Sequence, residues 1–516
     1  MTDETIILEM KGIYKAFDQN QALDDVSFAL RKREIHGLLG GNGAGKTTLM
    51  NILYGLYRMD RGSVLRGGRE IDIRSPRDAI RHGIAMVHQH FLQVETYSVM
   101  ENIVLGSDVK HPYTMNLAEE RHKVSELAER FGLQVDLDAA VEGLTMGARQ
   151  KVEILKSLYR GVDILILDEP TTNLTPQEVD TLFESLRVMV NEGLSIVFIT
   201  HKLREVLSVC DRITVLRNGK NILTLGRGEA SEEAFVRAMV GEEMNVEKSI
   251  FFSKGKLGEE ALRVGETPVL EMENVHLTRS DGIALLKDIT LTVYESEILG
   301  IAGVAGNGQR ELAEVIMGVQ PPSGGRIRVR GVAEGSASGD LLRQGVAYIP
   351  EDRLHDGFLP KANVATNLIL GFHRQPPYSR GVFLDWNKVF ETARGLIREY
   401  NIKTQSPADA GGNLSGGNIQ RVMIARAFSR PAKLLVAHNP TRGLDIPSME
   451  FVYQKLLEGK KGGMATLLLS EDLDELLLLC NRIVVLYRGE IVGVLPRSRF
   501  EKYEIGRMMS GVRTNV

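Results

Sequence analysis

Part of this chain is written twice. "CDRITVLRNGK" begins at residue 210 and "CNRIVVLYRGE" at residue 480, and two glycine-rich loops, "GGNGAGKT" at 40 to 47 and "GVAGNGQR" at 303 to 310, repeat the relationship nearer the start of each half. The loops lie 263 residues apart and the cysteine segments 270, so the second half carries a net insertion of about 7 residues in its middle. Solenoid repeats run to only roughly 20 to 50 residues, so a period this long means two tandem homologous domains. A chain of 516 residues is in any case too long for one ordinary core.

The opening "IILEMKGIY" is restated as "VLEMENVHL" after residue 268, and the stretch before it, "EKSIFFSKGKLGEEALRVGETP", has no sustained periodicity. The expected division is a first domain over 1–246, a linker over 247–267 and a second domain over 268–516. Within each half, β-rich runs such as "DILILD" and "LSIVFIT" alternate with helical runs such as "RQKVEILKSLYR", which predicts an α/β fold with much parallel sheet.

Charged residues make up 25% and hydrophobic ones 43%, the balance of a globular protein, and a formal net charge of −4 argues against a surface that coats nucleic acid. The N-terminus "MTDETIILEMKG" lacks the basic start and long apolar run of a secretion signal. No uncharged apolar segment reaches the roughly 18 to 20 residues that cross a bilayer; "ELLLLCNRIVVLYRG" is interrupted at Asn481 and Arg482. Two cysteines, Cys210 and Cys480, suit a reducing compartment better than a disulfide framework.

The first half carries the chemistry. "GGNGAGKT" fits G-x-x-x-x-G-K-[ST] between a strand-like and a helix-like run: Gly40, Gly41, Asn42, Gly43, Ala44 and Gly45 can wrap phosphate oxygens with backbone N–H groups. Lys46 can reach the β and γ phosphates, Thr47 can ligate Mg²⁺, and Thr48 follows in the same helical turn. "DILILDEPT" ends a buried-type strand on two acids, with Asp168 placed for Mg²⁺ and Glu169 placed to accept a proton from attacking water. Adjacent acids at a strand end are usually only solvated; the phosphate loop in the same domain is what turns the reading toward catalysis. His201, at the end of "SIVFIT", can bond the γ phosphate or orient water, Gln89 in "GIAMVHQHF" can meet the metal or the water, and Phe17 can stack on a purine base. Taken singly, each of these three is more often structural.

In this order, with "NLSGGNIQRVMIARAF" at 413 to 428 in the second half, the stretches resemble the ATP-binding cassette (ABC) ATPase family over nearly the whole of both halves. The resemblance implies two tandem nucleotide-binding domains, each with a P-loop α/β core and a helical subdomain, and ATP and Mg²⁺ as cofactors. Twin cassettes with "PTRGLD" at 440 to 445 look like the ATP-binding subunit of sugar-type ABC importers. "GIAMVHQHF", "GIAGVAGNGQ" and "LLLSEDLDE" are most similar to the branch that imports nucleosides. That branch assignment is an analogy, because cassette residues do not touch the transported solute.

In this family each ATP lies between the P-loop of one cassette and the signature of the other. The resemblance therefore implies a complete site joining Phe17, the loop 40–47, Gln89, Asp168, Glu169 and His201 with Ser415, Gly416, Gly417, Asn418 and Asp445. The other site keeps Gly303, Gly306 and Gly308, but Gln309 stands for the lysine and Arg310 for the metal-binding hydroxyl. Glu351 stands for the Gln, His438 and Asn439 for the acid pair, Glu471 for the His and Arg279 for the aromatic. The first half's own signature reads "LTMGA", with Met146 in place of a glycine, and Thr175 stands opposite Asp445. The changes fall on one site, so one hydrolytic and one degenerate site are expected, with Arg310 as a positive charge that helps the second hold nucleotide.

The resemblance also implies partners: two membrane permease subunits, contacted through Phe91 to Asn102, and an extracytoplasmic solute-binding protein reached through the permease. It places the chain peripherally at the cytoplasmic face of the cell membrane and leaves open a second copy of the chain. The alternative is a soluble twin-cassette ABC protein acting on the ribosome, which predicts two complete sites, a long charged linker and basic RNA-binding surfaces.

Overall fold

The computed structural model describes residues 5–18, 20–89, 91–106, 117–229, 231–241, 250 and 263–513. The chain divides into two compact units, Met1–Val246 and Glu247–Val516. Most of the linker expected over 247–267 lies outside the described residues.

The first unit has two sheets. One is antiparallel, ordered β2-β1-β4-β5 with β1 Ile6–Phe17, β2 Asn20–Arg31, β4 Arg61–Arg66 and β5 Arg69–Ile71. The other is ordered β10-β9-β3-β8-β7-β6, with β3 Ile35–Leu39, β6 Ile84–Val87, β7 Ile164–Asp168, β8 Ser195–Thr200, β9 Arg212–Arg217 and β10 Lys220–Gly226. Its strands from β9 to β6 pair in parallel, and only β10 joins antiparallel. β3, β6, β7 and β8 are buried at every position, as a parallel sheet covered on both faces requires. Such strands end together, so residues just past their C-terminal ends share one edge of the domain. Loop 40–45, Gln89, Glu169 and His201 all follow such ends.

The helices Val99–Val104, Leu117–Arg130 and Met146–Tyr159 pack against one another as a helical subdomain. Local chemistry sets their starts. Ser98 and Glu101 make a reciprocal capping box, and Thr145 caps the helix beginning at Met146.

The second unit repeats the plan. Its larger sheet is ordered β15-β18-β19-β13-β20-β21, with β13 Ile298–Ala302, β15 Val346–Ile349, β18 Leu434–His438, β19 Ala465–Ser470, β20 Arg482–Tyr487 and β21 Glu490–Pro496. The smaller sheet is ordered β12-β11-β14, with β11 Pro268–Thr278, β12 Ala284–Tyr294 and β14 Gly324–Val329. The duplicated cysteines are explained by one packing contact used twice. Cys210 and Cys480 are both fully buried, and a Cβ added at Gly37 or Gly300 would lie 2.9 or 2.7 Å from the respective Sγ. Only glycine on the central strand leaves room for the thiol behind it.

The extra length of the second half is spread over more than one place. The span from Glu351 to Asn363 is longer than that from Gln89 to Ser98 and contains a π-helical turn, Arg353–Gly357. A short hairpin, β16 Ser379–Arg380 with β17 Phe383–Leu384, precedes the helix Trp386–Glu399. Among the described residues no helix is long and apolar enough to cross a membrane.

Candidate nucleotide site

In the first unit the loop 40–45 runs from the end of β3 into the helix Lys46–Leu53. Gly43 and Gly45 have φ of 75° and 101°, the left-handed region that a side chain rarely adopts. A Cβ at Gly45 would also meet Leu23 Cδ2 at 2.7 Å and Ala22 O at 2.9 Å. Lys46 is only 5% exposed; its Nζ donates to the Gly40 and Gly41 carbonyls at 2.7 and 3.0 Å, inside the curl of the loop. Burial draws its pKa down, against the opposing charges of Glu169 and Asp168.

The Thr47 hydroxyl donates to Asp168 Oδ2 at 3.2 Å, so the first turn of the helix and the end of β7 meet at one point. Burial, with the Glu169 charge beside it, pushes the Asp168 carboxyl up to about 6, against the Thr47 hydrogen bond and the Lys46 charge. Glu169 behaves oppositely. Burial pushes its pKa up, but His201, by hydrogen bond and charge, with Lys46 and Lys202, holds it below the usual carboxylate range. Gln89 Nε2 donates to Glu169 Oε2 at 3.1 Å, and His201 Nδ1 lies 2.8 Å from Glu169 Oε1. The structure thus brings Gln89, Lys46, Thr47, Asp168, Glu169 and His201 together. Sequence reading aimed His201 at phosphate or water; here the imidazole is engaged with the carboxylate itself.

Phe17 is 39% exposed and meets Tyr57, 41% exposed, edge to face at a centroid distance of 5.2 Å. It is not core, and Tyr57 gave no signal as its partner because the contact joins separate elements. Thr48 continues the first turn of the loop's helix.

The second unit rebuilds the scaffold with other groups. Gly306 and Gly308 keep φ of 86° and 107°. Gln309, as buried as Lys46, donates from Nε2 to the Val304 carbonyl at 3.2 Å, so an amide closes the loop where the ammonium does in the first unit. Gly303 has no room for a side chain, since a Cβ there would meet Gln309 Nε2 at 2.5 Å. Arg310 differs from expectation: its Nε donates to Glu314 Oε1 at 2.8 Å and its Nη2 lies 3.6 Å from Asp356, so its charge is already answered by two carboxylates. Asp356 sits in the longer turn after Glu351, where alignment with the shorter first half shows nothing.

At the strand ends the hydrogen bond of the first unit is reversed. Asn439 Nδ2 donates to Glu351 Oε1 at 3.2 Å, so the amide and the carboxylate have exchanged places. Asn439 Oδ1 accepts the Glu471 backbone N–H at 3.1 Å. Arg442 Nη1 lies 2.7 Å from Glu351 and 3.9 Å from Glu471. Its position was visible in "PTRGLD", but its role needs the two distant acids. His438 Nε2 is 3.8 Å from Glu351, and burial lowers the imidazole pKa. Arg279 is turned aside to Asp281, with Nε donating at 2.9 Å.

Within the second unit Ser415 precedes the helix Gly416–Phe428 and does not cap it; Asn418 Nδ2 donates to its Oγ at 2.8 Å, leaving the hydroxyl proton to point elsewhere. Ser415 and Gly416 are exposed, and a Cβ at Gly416 would meet nothing within 4 Å. At the next, matching glycines the surroundings differ: a Cβ at Gly417 would meet Ser448 Oγ at 3.4 Å, whereas one at Gly147 would lie 2.3 Å from Glu178 Oε1. Asp445 caps its own helix, accepting from Ser448 N at 3.0 Å, as Thr175 caps the matching one. Of the segment Phe91 to Asn102, Asn102 is fully buried and accepts from Val94 N at 2.8 Å, so it shapes the segment, whereas Leu92, Val94 and Tyr97 are exposed.

A carboxylate at a strand end, fixed by an amide and an imidazole beside a lysine-bearing glycine loop, defines a nucleoside triphosphate hydrolase of the phosphate-loop class. The family model described as ABC transporter matches residues 23–172 and again 286–442. The chain is 40% identical to the nucleoside import ATP-binding protein NupA of Lactococcus lactis subsp. cremoris, covering 100% of both chains. It is also 40% identical to the glucose import ATP-binding protein TsgD13 of Haloferax volcanii (98% of this chain, 96% of the relative). It is 39% identical to the guanosine import ATP-binding protein NupO of Bacillus subtilis (98% and 97%). The chain belongs to the ABC transporter family, as an ATPase with two tandem nucleotide-binding domains.

Proposed function

We propose that the chain powers a membrane importer of nucleosides by hydrolysing ATP at the first unit's loop and not at the second's. The observation that carries this reading is the exchanged pair: an ionised Glu169 held by Gln89 in one unit, an amide, Asn439, on Glu351 in the other. An amide cannot take a proton from water, and losing a positioned base costs roughly 10² to 10⁴ in rate.

The loop N–H groups and Lys46 hold the phosphates, and Phe17 stacks the base. The Thr47 hydroxyl meeting the Asp168 carboxylate is a pair of hard oxygen donors that fits Mg²⁺, and Gln89 would add its amide oxygen by family resemblance. When bound, the ion neutralises charge developing on the β and γ phosphoryl oxygens. Glu169 draws the proton of the attacking water while Gln89 and His201 keep its two oxygens in place. By family resemblance, Ser415, Gly416, Gly417, Asn418 and Asp445 complete this site with hydroxyl and backbone donors. ATP that binds the closed cassette pair better than the open one supplies the conformational bias, and hydrolysis releases it.

The exposed Leu92, Val94 and Tyr97, on a loop held by buried Asn102, suit docking against a permease subunit at the cytoplasmic face of the membrane. Two permease subunits and an extracytoplasmic binding protein would complete the importer. A simple sugar is the second reading for the solute, because a glucose-named relative is as similar as a nucleoside-named one. The test is the assembled transporter in vesicles with radiolabelled uridine, guanosine and glucose. Glu169→Gln should abolish turnover and uptake while Asn439→Ala leaves both nearly unchanged. Comparable losses from the two variants would overturn the asymmetry, and uptake of glucose alone would overturn the nucleoside assignment.

A further inference from the structure

The loop at 303–308 retains its left-handed glycines, yet the groups around it do not suit a magnesium-bound triphosphate. A guanidinium, Arg310, stands at the hydroxyl position and an imidazole, His438, at the carboxylate position; neither is the hard oxygen donor that Mg²⁺ requires. At the positions of Gln89 and His201, where a γ phosphate would be met, the second unit places two carboxylates, Glu351 and Glu471. Arg442 is shared between them, at 2.7 and 3.9 Å. Arg310 adds no free charge, being held by Glu314 and Asp356. The Lys46 ammonium has also become the neutral Gln309 amide. A triphosphate would bring its terminal charge against two acids that the single Arg442 charge answers only in part, with neither metal nor lysine beside them.

A diphosphate stops short of that repulsion. Its groups can be met by the backbone donors of the loop and of the helix Gln309–Ile316, as in the first unit. One further polar atom nearby lacks a partner. His438 is 4% exposed, and its Nδ1 is buried without a hydrogen-bond partner among the described residues. A neutral imidazole protonated there is a donor in want of an acceptor.

We propose that the second unit's loop is a metal-independent site for a nucleoside diphosphate, which Glu351 and Glu471 keep closed to the triphosphate and His438 helps to hold. The inference rests on the second loop being a nucleotide site.

The test uses the full chain with Lys46→Ala, which weakens the first site, and titrates ADP and ATP by calorimetry in magnesium and in EDTA. One residual site is expected to bind ADP at least about tenfold tighter than ATP, the equivalent of about 1.4 kcal/mol. Replacing magnesium by EDTA should change the ADP affinity by less than about threefold. Adding Glu351→Gln and Glu471→Gln should raise ATP affinity at least about tenfold with ADP affinity little altered, and His438→Ala should weaken ADP. ATP binding as tightly as ADP, a strong magnesium requirement, or no residual site in a chain whose circular dichroism is unchanged would each overturn it. Wild-type hydrolysis with one catalytic site per chain would still stand in those cases, which separates this failure from that of the proposed function.

Discussion

Replacing Gln89 by glutamate puts a carboxylate where an amide now donates to Glu169, the proposed general base. Gln89 Nε2 is 3.1 Å from Glu169 Oε2, and two unit charges at that spacing repel by at most about 5 kcal/mol at an effective dielectric near 20. Position 89 is exposed, so the new side chain can swing outward and salt will screen it. If about a quarter of the bound survives, it corresponds to roughly a tenfold shift toward protonation of the pair. A protonated Glu169 cannot act as base. In the native protein Glu169 is held below the ordinary carboxylate range, so this loss is specific to the variant. The two acids titrate as a coupled pair whose upper step moves up, so the penalty is greatest at low pH and fades as pH rises.

The assay is steady-state ATP hydrolysis from pH 5.5 to 9. The ratio of wild-type to variant turnover should reach up to about twofold near pH 5.5 and be close to one by about pH 7.5. Gln89→Glu combined with Glu169→Gln recreates the amide–acid order of the second unit and should be inactive across the range. A constant ratio at every pH would refute the electrostatic reasoning and leave only lost geometry. Activity in the double variant would refute the role of Glu169.

Two further outcomes concern stability. Gly37→Ala places a methyl 2.9 Å from Cys210 Sγ and 3.1 Å from Val206 Cγ1, an overpacking that should cost about 1–3 kcal/mol and lower the melting temperature of the chain; adding Cys210→Ala should recover part of it, and full tolerance of Gly37→Ala would contradict the packing. Glu475 is buried, its Oε1 accepts the Thr441 hydroxyl at 2.7 Å, and burial raises its pKa to about 7. Because the folded value lies above the unfolded one, its contribution is fully present below about pH 4.5 and is lost as pH rises through about 7. Glu475→Gln should therefore raise the melting temperature at pH 8 by a few degrees and change it little at pH 4.5; the opposite order would refute the assignment.

The duplication, the parallel sheet and the phosphate loop were legible because each is written in consecutive residues. Lys46, Thr47, Asp168 and Glu169 lie together as expected because strand, turn and helix place them by local rule. The replacements at Glu351 and Asn439 were read by comparing the halves, but the hydrogen bond between them was not, since the two are far apart in sequence and meet only when β15 and β18 pair. The pairing of Arg310 was not visible for the same reason: its partner Asp356 lies in a turn that the first half lacks. Asp445 was read as a site residue from resemblance alone, and its work in capping a helix needed the backbone to be seen. The thiol behind the central glycine was invisible too, although both cysteines stood in the repeated segments.

Glu169 has a backbone φ of 48° and Asn439 one of 45°, an uncommon and strained conformation for a side chain to hold. A contorted backbone at a catalytic base invites the view that strain serves the reaction. This chain contains its own control. The same contortion is maintained where the residue has become an amide and no base exists, and at both places the backbone N–H is spent on the adjoining strand, to Ile199 O at 2.9 Å and to Leu469 O at 2.8 Å. The distortion is thus architecture that a base can exploit, and the chemistry can be removed without relaxing it.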